Sequence, residues 1–441
     1  MNKWLKRALC IAIAAMMPIS LASCSNSETP GSTTSSGSSE QQNSQTGSDV
    51  TLTVGLPSGW LTYGDTDKLL EEYEKTTGIK VEVQAVEDDQ FDNLLMAKMA
   101  TNECWDVFQR YTGTQAMKYT NVEDLSNEAW VDRLQDSAKP YLTRDGKIVC
   151  APTGGFTTLN ILYNKTLFNE LNLEVPETRE EFESVCDTLL ENDVIPIFMG
   201  SASGAGWMAV QLVNSSWSNI EAANDADVMD KLNANEITWS QVKTFPETLK
   251  MWEDWSKKGY FNPNMASDDT ATGVKMVGEG ECGMIITGDW QWAEFNEKYP
   301  DVEIGGMVPP AVEGENYLPM NGPNGMYVSS TSANVEEAKK LVAWLCEPEQ
   351  LERYYEAKPD MSAWKDVESK NMNPVLSELS VYLDEGRSGT HWGQFYMVPY
   401  AEDMSSMIFQ MISGQKTAEE TLADWDDYMV KQGKQLGLAG F

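Results

Sequence analysis

The sequence predicts an α/β fold, an open parallel or mixed sheet with helices on its faces. Two observations carry that reading. Short strand-like patterns alternate with longer helical ones along most of the 441 residues, and the first three strand signals are separated by two helical stretches, the order of a βαβαβ unit. A third is composition: 41% hydrophobic and 23% charged residues is an ordinary globular balance, and this length suits two or three compact units.

Thr51-Leu52-Thr53-Val54 reads as a strand ending at Gly55. Asp67 to Lys75 reads as a helix that Gly78 stops. Ile79 to Val83 alternates apolar and polar residues, a strand signal. Phe91, Leu94, Leu95 and Met99 fall at helical spacing, and Val107-Phe108 follows as a short buried strand. Further on, Thr178-Arg179-Glu180-Glu181 is a capping box that opens a helix to about Glu191. Ile195 to Met199 is a strand feeding the glycine-rich stretch Gly200 to Gly206. Pro246 to Lys257 is helical, Glu281 to Thr287 is a strand, and Gly288-Asp289-Trp290 turns into another helix. Val335 to Cys346 is strongly periodic, and a second capping box, Thr417-Ala418-Glu419-Glu420, opens a long C-terminal helix. No strict internal repeat is visible. Open α/β sheets bind ligands beyond the carboxyl ends of their strands, so the loops Pro57–Tyr63, Gln109–Thr114 and their later equivalents are the places to look.

Charge and side-chain inventory exclude several functions. The formal net charge of −36 argues against nucleic acid as a partner, whose phosphates need Lys and Arg, and against adsorption to an anionic membrane face. The single histidine, His391, removes His-based triads and His-rich zinc sites, so no metal or cofactor is expected. The seven cysteines form no CxxC pair. Cys186, Cys282 and Cys346 sit in apolar patterns and read as small core residues; a Cys104–Cys150 bridge is open but has no support in the pattern.

The first 49 residues set the compartment. Lys3, Lys6 and Arg7 precede an apolar run, Ala8 to Leu21, then Leu21-Ala22-Ser23-Cys24. This is the layout of a secretory signal, and its last four residues resemble a bacterial lipobox, in which the Cys is lipidated. Residues 1–23 are read as a lipoprotein signal peptide and Cys24 as the lipidation site. Residues 24–49 are rich in Ser, Thr and Gly and read as a disordered tether spanning roughly 25–30 Å. The body is expected outside the cytoplasm, attached to the bacterial cell membrane through the lipid alone, which two acyl chains make stable.

Several segments resemble the family 1 extracellular solute-binding proteins, a sugar-binding group. Asp145-Gly146-Lys147-Ile148-Val149 with Pro152, Tyr163-Asn164-Lys165 and Phe168 resembles one family run. Pro176-Glu177-Thr178 with Phe182 resembles another, with Arg179 where Trp is usual. Gly280 to Trp290, Asn334 to Leu345 and Gly414 to Leu422 resemble three more, in the family's order. Each is weak alone; together they cover most of residues 50–430. The resemblance implies a two-lobed periplasmic-binding-protein-like fold (type II), with mixed sheets flanked by helices and a ligand cleft between the lobes. The chain is expected to cross near Thr158, Asn321 and Ser388, giving lobe 1 as 50–158 and 322–387 and lobe 2 as 159–321 and 388–441. It also implies a non-enzymatic monomer. Such a protein closes on a mono- or oligosaccharide and delivers it to the permease subunits of an ABC importer, driven by their associated ATPase.

A sugar cleft needs aromatic rings for C–H faces and polar side chains for hydroxyls. Trp290 follows a strand at a position that matches a sugar-stacking Trp of the family. Asp289 replaces a Pro there; its carboxylate can accept sugar hydroxyls or cap the following helix. Trp60 and Tyr63 lie in the first loop after a strand, and Gln109 and Arg110 end the third strand; Arg110 has the competing reading of a partner for a nearby acid. Gly154, Gly155 and Phe156 sit at the first crossing, and Asn321, Gly322 and Asn324 at the second. Trp207 follows the glycine-rich turn as a second stacking ring. Trp364, His391 and Trp392 are candidates in irregular stretches. The family's stacking Trp in the helix after the third crossing is replaced by the stretch Met404 to Met411, which leaves the sugar open. The competing classes are a binder of a non-sugar solute, a secreted glycan-processing enzyme with paired carboxylates, and a surface adhesin. Glycoside turnover would distinguish the enzyme, and neighbouring permease genes would distinguish the transporter component.

Overall fold

The structure is a computed structural model that describes residues 50–202, 205–222, 227–398 and 402–441; the leader, Cys24 and the tether lie outside the described residues. The strands in chain order are β1 (Thr51–Pro57), β2 (Lys80–Val86), β3 (Val107–Arg110), a hairpin of β4 (Thr143–Arg144) and β5 (Lys147–Ile148), and β6 (Ala151–Thr153). Then come β7 (Thr157–Asn164), β8 (Ile195–Phe198), β9 (Cys282–Gly288), β10 (Ile304–Met307), β11 (Leu318–Asn321), β12 (Asn324–Val328) and β13 (Ser388–Thr390).

They build two mixed sheets. The first has the order β2-β1-β3-β12-β6, and the second β13-β11-β7-β9-β8 with β10 paired to β7. In the first, β1, β2 and β3 run parallel, as the βαβαβ pattern predicts, and β12 lies antiparallel between β3 and β6. The intervening helices Thr66–Thr77 and Asp88–Thr101 bury Leu69, Leu70 and Tyr73, and Phe91, Leu95 and Met99. Gly78 ends the first of them in the left-handed region, φ 73°, a conformation that glycine adopts freely.

Each sheet carries its own hydrophobic core. The first gathers Leu52, Val54, Phe108, Tyr327, Leu341 and Trp364; the second gathers Ile161, Phe182, Trp252, Trp255, Ile285 and Trp425. Both capping boxes form as read: Thr178 with Glu181, and Thr417 with Glu420. Cys186, Cys282 and Cys346 are buried, and all five cysteines of the described residues are free thiols, Cys104 and Cys150 included.

The chain passes between sheets at Gly154–Phe156, from β6 to β7, and at Gly322-Pro323, from β11 to β12. The third passage differs from the expectation near Ser388. The helix Pro374–Asp384 places Val375 and Leu379 in the second core, against β10, whereas Trp364 and Val367 still belong to the first. The passage therefore lies between residues 367 and 374. Only the expected boundary at 387 assigns residues 374–384 to lobe 1, and nothing local in that stretch says which sheet receives it.

Candidate functional site

The topology brings two sheet edges face to face. In the first sheet the carboxyl ends of β1, β3 and β6 (Pro57, Arg110 and Thr153) share an edge with the start of β12 at Asn324. In the second, β8 and β9 are parallel, β7 is antiparallel to β9, β11 to β7, and β13 is parallel to β11. Phe198, Gly288, Asn321 and Thr390 therefore end at one edge, where β7 begins. The passages at Gly154–Phe156 and Gly322-Pro323 run directly between these two edges.

On the second sheet, Asp289 directly follows β9 and is 1% exposed. Its Oδ1 accepts from the Thr158 backbone N–H and, at 2.9 Å, from the Thr158 hydroxyl. Its Oδ2 is buried with no partner. Burial pushes its pKa up to about 6; the nearby Asp360 adds to this, while the Thr158 backbone N–H, Lys358 and the Thr158 hydroxyl oppose it. Asp289 opens a short 3-10 turn, but its Oδ1 accepts from Thr158 and its Oδ2 from nothing, so the helix-cap reading does not describe its contacts. Beside it, the half-buried Trp290 lies 6.3 Å from Trp207, with the rings inclined at 55°. Gly288 itself is extended, φ −151°. Its glycine serves space rather than a turn, because a methyl there would overlap the Trp290 indole.

On the first sheet, Arg110 is 5% exposed and takes the structural reading. It donates to Asp92 at 2.7 Å and Asp88 at 2.9 Å, and its guanidinium lies 4.3 Å from the Tyr111 ring and 5.4 Å from Trp60. Trp60, 7% exposed, packs edge-on to Tyr111 at 5.3 Å. Gln109 donates to the Thr153 hydroxyl at 2.8 Å and leaves its Oε1 buried and unpartnered. Tyr63 lies under the Lys358 ammonium, 5.3 Å away, and burial raises its phenol above the ordinary range, Lys358 opposing and Asp88 adding to it.

The crossings are tightly fitted. Phe156 exchanges backbone bonds with Met361 at 2.7 and 3.2 Å and sets its ring 5.9 Å from Tyr141. The Gly155 N–H points to Asp360 at 3.4 Å, and a methyl on Gly155 would overlap the Met361 carbonyl. Gly154 adopts φ 76° with its carbonyl on the Tyr355 hydroxyl. Asn321 pairs with Thr157, and Gly322 leaves room for the Tyr141 ring.

Two expected residues are elsewhere. Trp364, 1% exposed, packs against Trp130 at 6.2 Å in the first core. Trp392, also 1% exposed, packs among Trp239, Tyr396 and Trp425 in the second. Both sit in irregular segments, and sequence spacing gives no face to such a residue.

Residues 61–352 match the family described as bacterial extracellular solute-binding protein. The chain belongs to this family. Among similar proteins is the multiple sugar-binding protein of Streptococcus mutans, 20% identical over 402 residues that cover 88% of this chain and 91% of the relative. The maltodextrin-binding protein MdxE of Bacillus subtilis is 23% identical over 436 residues, covering 95% and 96%. A sugar transporter from Bacillus licheniformis, solved in complex with stachyose, superposes with a TM-score of 0.73 at 19% identity over 87% of this chain and all of that one, 100%. These establish the two-lobed fold of the solute-binding protein.

The solute-binding protein also carries groups at the facing edges that its sequence did not announce. Lys358 and Asp360 pair at 2.6 Å, with Asp360 3% exposed, and both act electrostatically on Asp289 from the other sheet. Burial opposes the Lys358 charge, but Asp360 and Tyr354 outweigh it and hold the ammonium protonated. The only signal was two opposite charges flanking Pro359. Beyond β13, His391, which the sequence puts forward, and two residues it does not, Gln394 and, on the helix Trp207–Ala222, Asn214, are buried with unpartnered polar atoms.

Proposed function

We propose that this solute-binding protein captures a carbohydrate in the cleft between its two sheet edges and presents it, as a monomer, to the permease subunits of an ABC importer. The observation that carries this is the pairing of half-exposed indoles, Trp207 and Trp290, with the buried, half-satisfied carboxylate of Asp289. Indole faces take up the C–H surface of a sugar ring. A carboxylate oxygen buried without a partner is unfavourable unless a ligand supplies a donor, and sugar hydroxyls do so. Sugar-binding relatives along nearly the whole length support the same reading.

The length of the polar edge favours an oligosaccharide over a single ring. Thr390 lies opposite Met320, Met320 opposite Thr158, and the β7–β9 register sets Asp289 beside Thr158. Three strand spacings separate the ends, about 14 Å.

Melting temperatures over a panel of mono- and oligosaccharides test the reading. A ligand at about 100 times its dissociation constant stabilises the protein by about 2.7 kcal/mol, which gives a clear rise. A panel that moves nothing, with a peptide or phosphate ester that does, refutes the carbohydrate reading. The protein is proposed to leave glycosides intact; release of reducing ends by purified protein refutes that. The proposal includes attachment through lipidated Cys24, motivated by the lipobox-like Leu21–Cys24. Cys24→Ala is expected to release the protein or leave its precursor uncleaved. Firm retention and normal processing of that variant in a fractionation would count against the anchor.

A further inference from the structure

Three side chains near the end of β13 share an unusual state. His391 is 6% exposed, Asn214 6% and Gln394 7%, and Nδ1 and Nε2 of His391, Oδ1 of Asn214 and Oε1 of Gln394 all lack a hydrogen-bond partner. They come from different elements. Asn214 lies on the helix Trp207–Ala222, His391 precedes and Gln394 ends the short turn Trp392–Gln394, and Gln394 faces the Gly113–Lys118 turn that follows β3. A methyl placed on Gly393 would lie 3.0 Å from the His391 ring carbon Cε1, 3.2 Å from its Nδ1 and 3.7 Å from Asn214 Oδ1. A methyl on Gly113 would overlap the Gln394 backbone carbonyl and lie 3.2 Å from Gln394 Oε1. The two glycines thus let His391 and Gln394 pack close against the backbone, which brings the unpartnered atoms together, and the Thr114 hydroxyl next to Gly113 is unpartnered too.

We infer that His391, Asn214 and Gln394 form a second binding subsite, which takes an uncharged, hydroxyl-bearing ring at the end of the ligand remote from Trp290.

Leaving several buried polar atoms unpaired is unfavourable by about 1–3 kcal/mol each, so an occupant that pairs them is bound in proportion. The occupant is neutral because the groups that meet it are. Burial lowers the His391 pKa to about 3, so the imidazole is uncharged near neutrality, with one N–H donor and one nitrogen acceptor. Asn214 Oδ1 and Gln394 Oε1 only accept. A hydroxyl both donates and accepts, and matches this set; an anion meets two acceptors and is refused. The place also fits: Thr390 and His391 are at the opposite end of the polar edge from Asp289, about 14 Å across three strand spacings.

This rests on the carbohydrate reading, and one experiment separates the two. Maltotriose, raffinose and stachyose are titrated into wild type, Trp290→Ala, His391→Phe, Asn214→Leu and Gly393→Ala, with ligand-free melting temperatures for each. The expected result is at least a tenfold weaker dissociation constant for His391→Phe and Asn214→Leu. Their ligand-free melting temperatures should be unchanged or raised, because each removes an unpaired buried group. Gly393→Ala deletes no polar atom but presses a methyl against the His391 ring and towards Asn214 Oδ1, which displaces the imidazole, so it should weaken binding as well. Gly393→Ala binding within threefold of wild type overturns the subsite, as does His391→Phe doing so. A ligand-free protein that melts much lower in both polar-to-apolar variants, with Gly393→Ala binding normally, shows a structural water cluster and overturns it too. If Trp290→Ala loses binding while these variants keep it, only the subsite falls. If wild type binds none of the three sugars, the carbohydrate reading falls and the subsite with it.

Discussion

Trp290 and Asp289 are neighbours with separable roles. The indole is rigid, half-exposed and held over Gly288, so it offers contact area with little ordering cost. Losing such an anchor costs roughly 2–4 kcal/mol, about 30- to 1000-fold in affinity. Trp290→Ala is expected to lose that much carbohydrate affinity in calorimetry while its circular dichroism and melting stay near wild type, and Trp290→Phe to fall between. Unfolding of Trp290→Ala would instead make the ring part of the core. Asp289 is read through pH. Its folded pKa of about 6 lies above the ordinary value of 3.8, so the folded state prefers the protonated acid. This group's contribution is complete below about pH 4 and is lost as pH rises through 6. Asp289→Asn keeps an oxygen for the Thr158 donors and has no charge to bury. Its ligand-free melting temperature should exceed wild type at pH 8, and the gap should shrink at pH 4.5. A gap independent of pH would mean the carboxylate is not what burial strains.

At the scale of elements, the passages between sheets are set by backbone fit. Gly155 has no room for a side chain, because the Met361 carbonyl occupies it, and the Phe156–Met361 bonds depend on that approach. Gly155→Ala should destabilise the protein by about 1–3 kcal/mol, the scale of overpacking, and alter ligand affinity through the crossing. A melting temperature equal to wild type would show that the segment yields. This crossing also marks how far the sequence could be read. The elements were legible because each is written locally: Thr178 and Thr417 with their Glu partners, Gly78 at a helix end, and the alternation in Ile79–Val83. Trp290, Asp289 and Trp207 could be named as candidates because each follows a strand in the chain, but that Trp207 lies 6.3 Å from Trp290 is a tertiary fact. Trp364, Trp392 and the helix Pro374–Asp384 were misplaced because the core that receives a residue is a long-range property. Lys358 and Asp360 were missed for the same reason: their importance comes from Asp289 on the other sheet, not from anything near them in the chain. Arg110 shows the reverse, since its acids Asp88 and Asp92 lie on the preceding helix and the paired reading was available from the start.

At the scale of the whole molecule, the two sheets touch beyond the crossings. The Tyr141 hydroxyl of the first lobe is hydrogen-bonded to Thr390 of the second, its ring lies 5.1 Å from Phe395, and Gln394 abuts Gly113. Such contacts favour the arrangement in which the facing edges are close, before any ligand adds to them. A ligand shifts the balance between open and closed forms only by binding the closed one better, and its apparent affinity scales with the fraction already closed. Tyr141→Phe removes the hydroxyl, keeps the ring and replaces none of the residues proposed to hold the sugar, although it frees the Thr390 hydroxyl at the end of the polar edge. A net hydrogen bond is worth about 0.5–1.5 kcal/mol, so if the bond exists only in the closed form the variant should bind about 2- to 10-fold more weakly. Small-angle scattering should show a larger radius of gyration for ligand-free Tyr141→Phe than for ligand-free wild type. At saturation both should contract to the same value, because enough ligand closes either. Trp290→Ala, which lacks the anchor but keeps Tyr141, should match wild type without ligand and fail to contract with it. Profiles that stay unchanged in wild type at a saturation proven by calorimetry would rule out lobe closure, whatever the affinities of the variants.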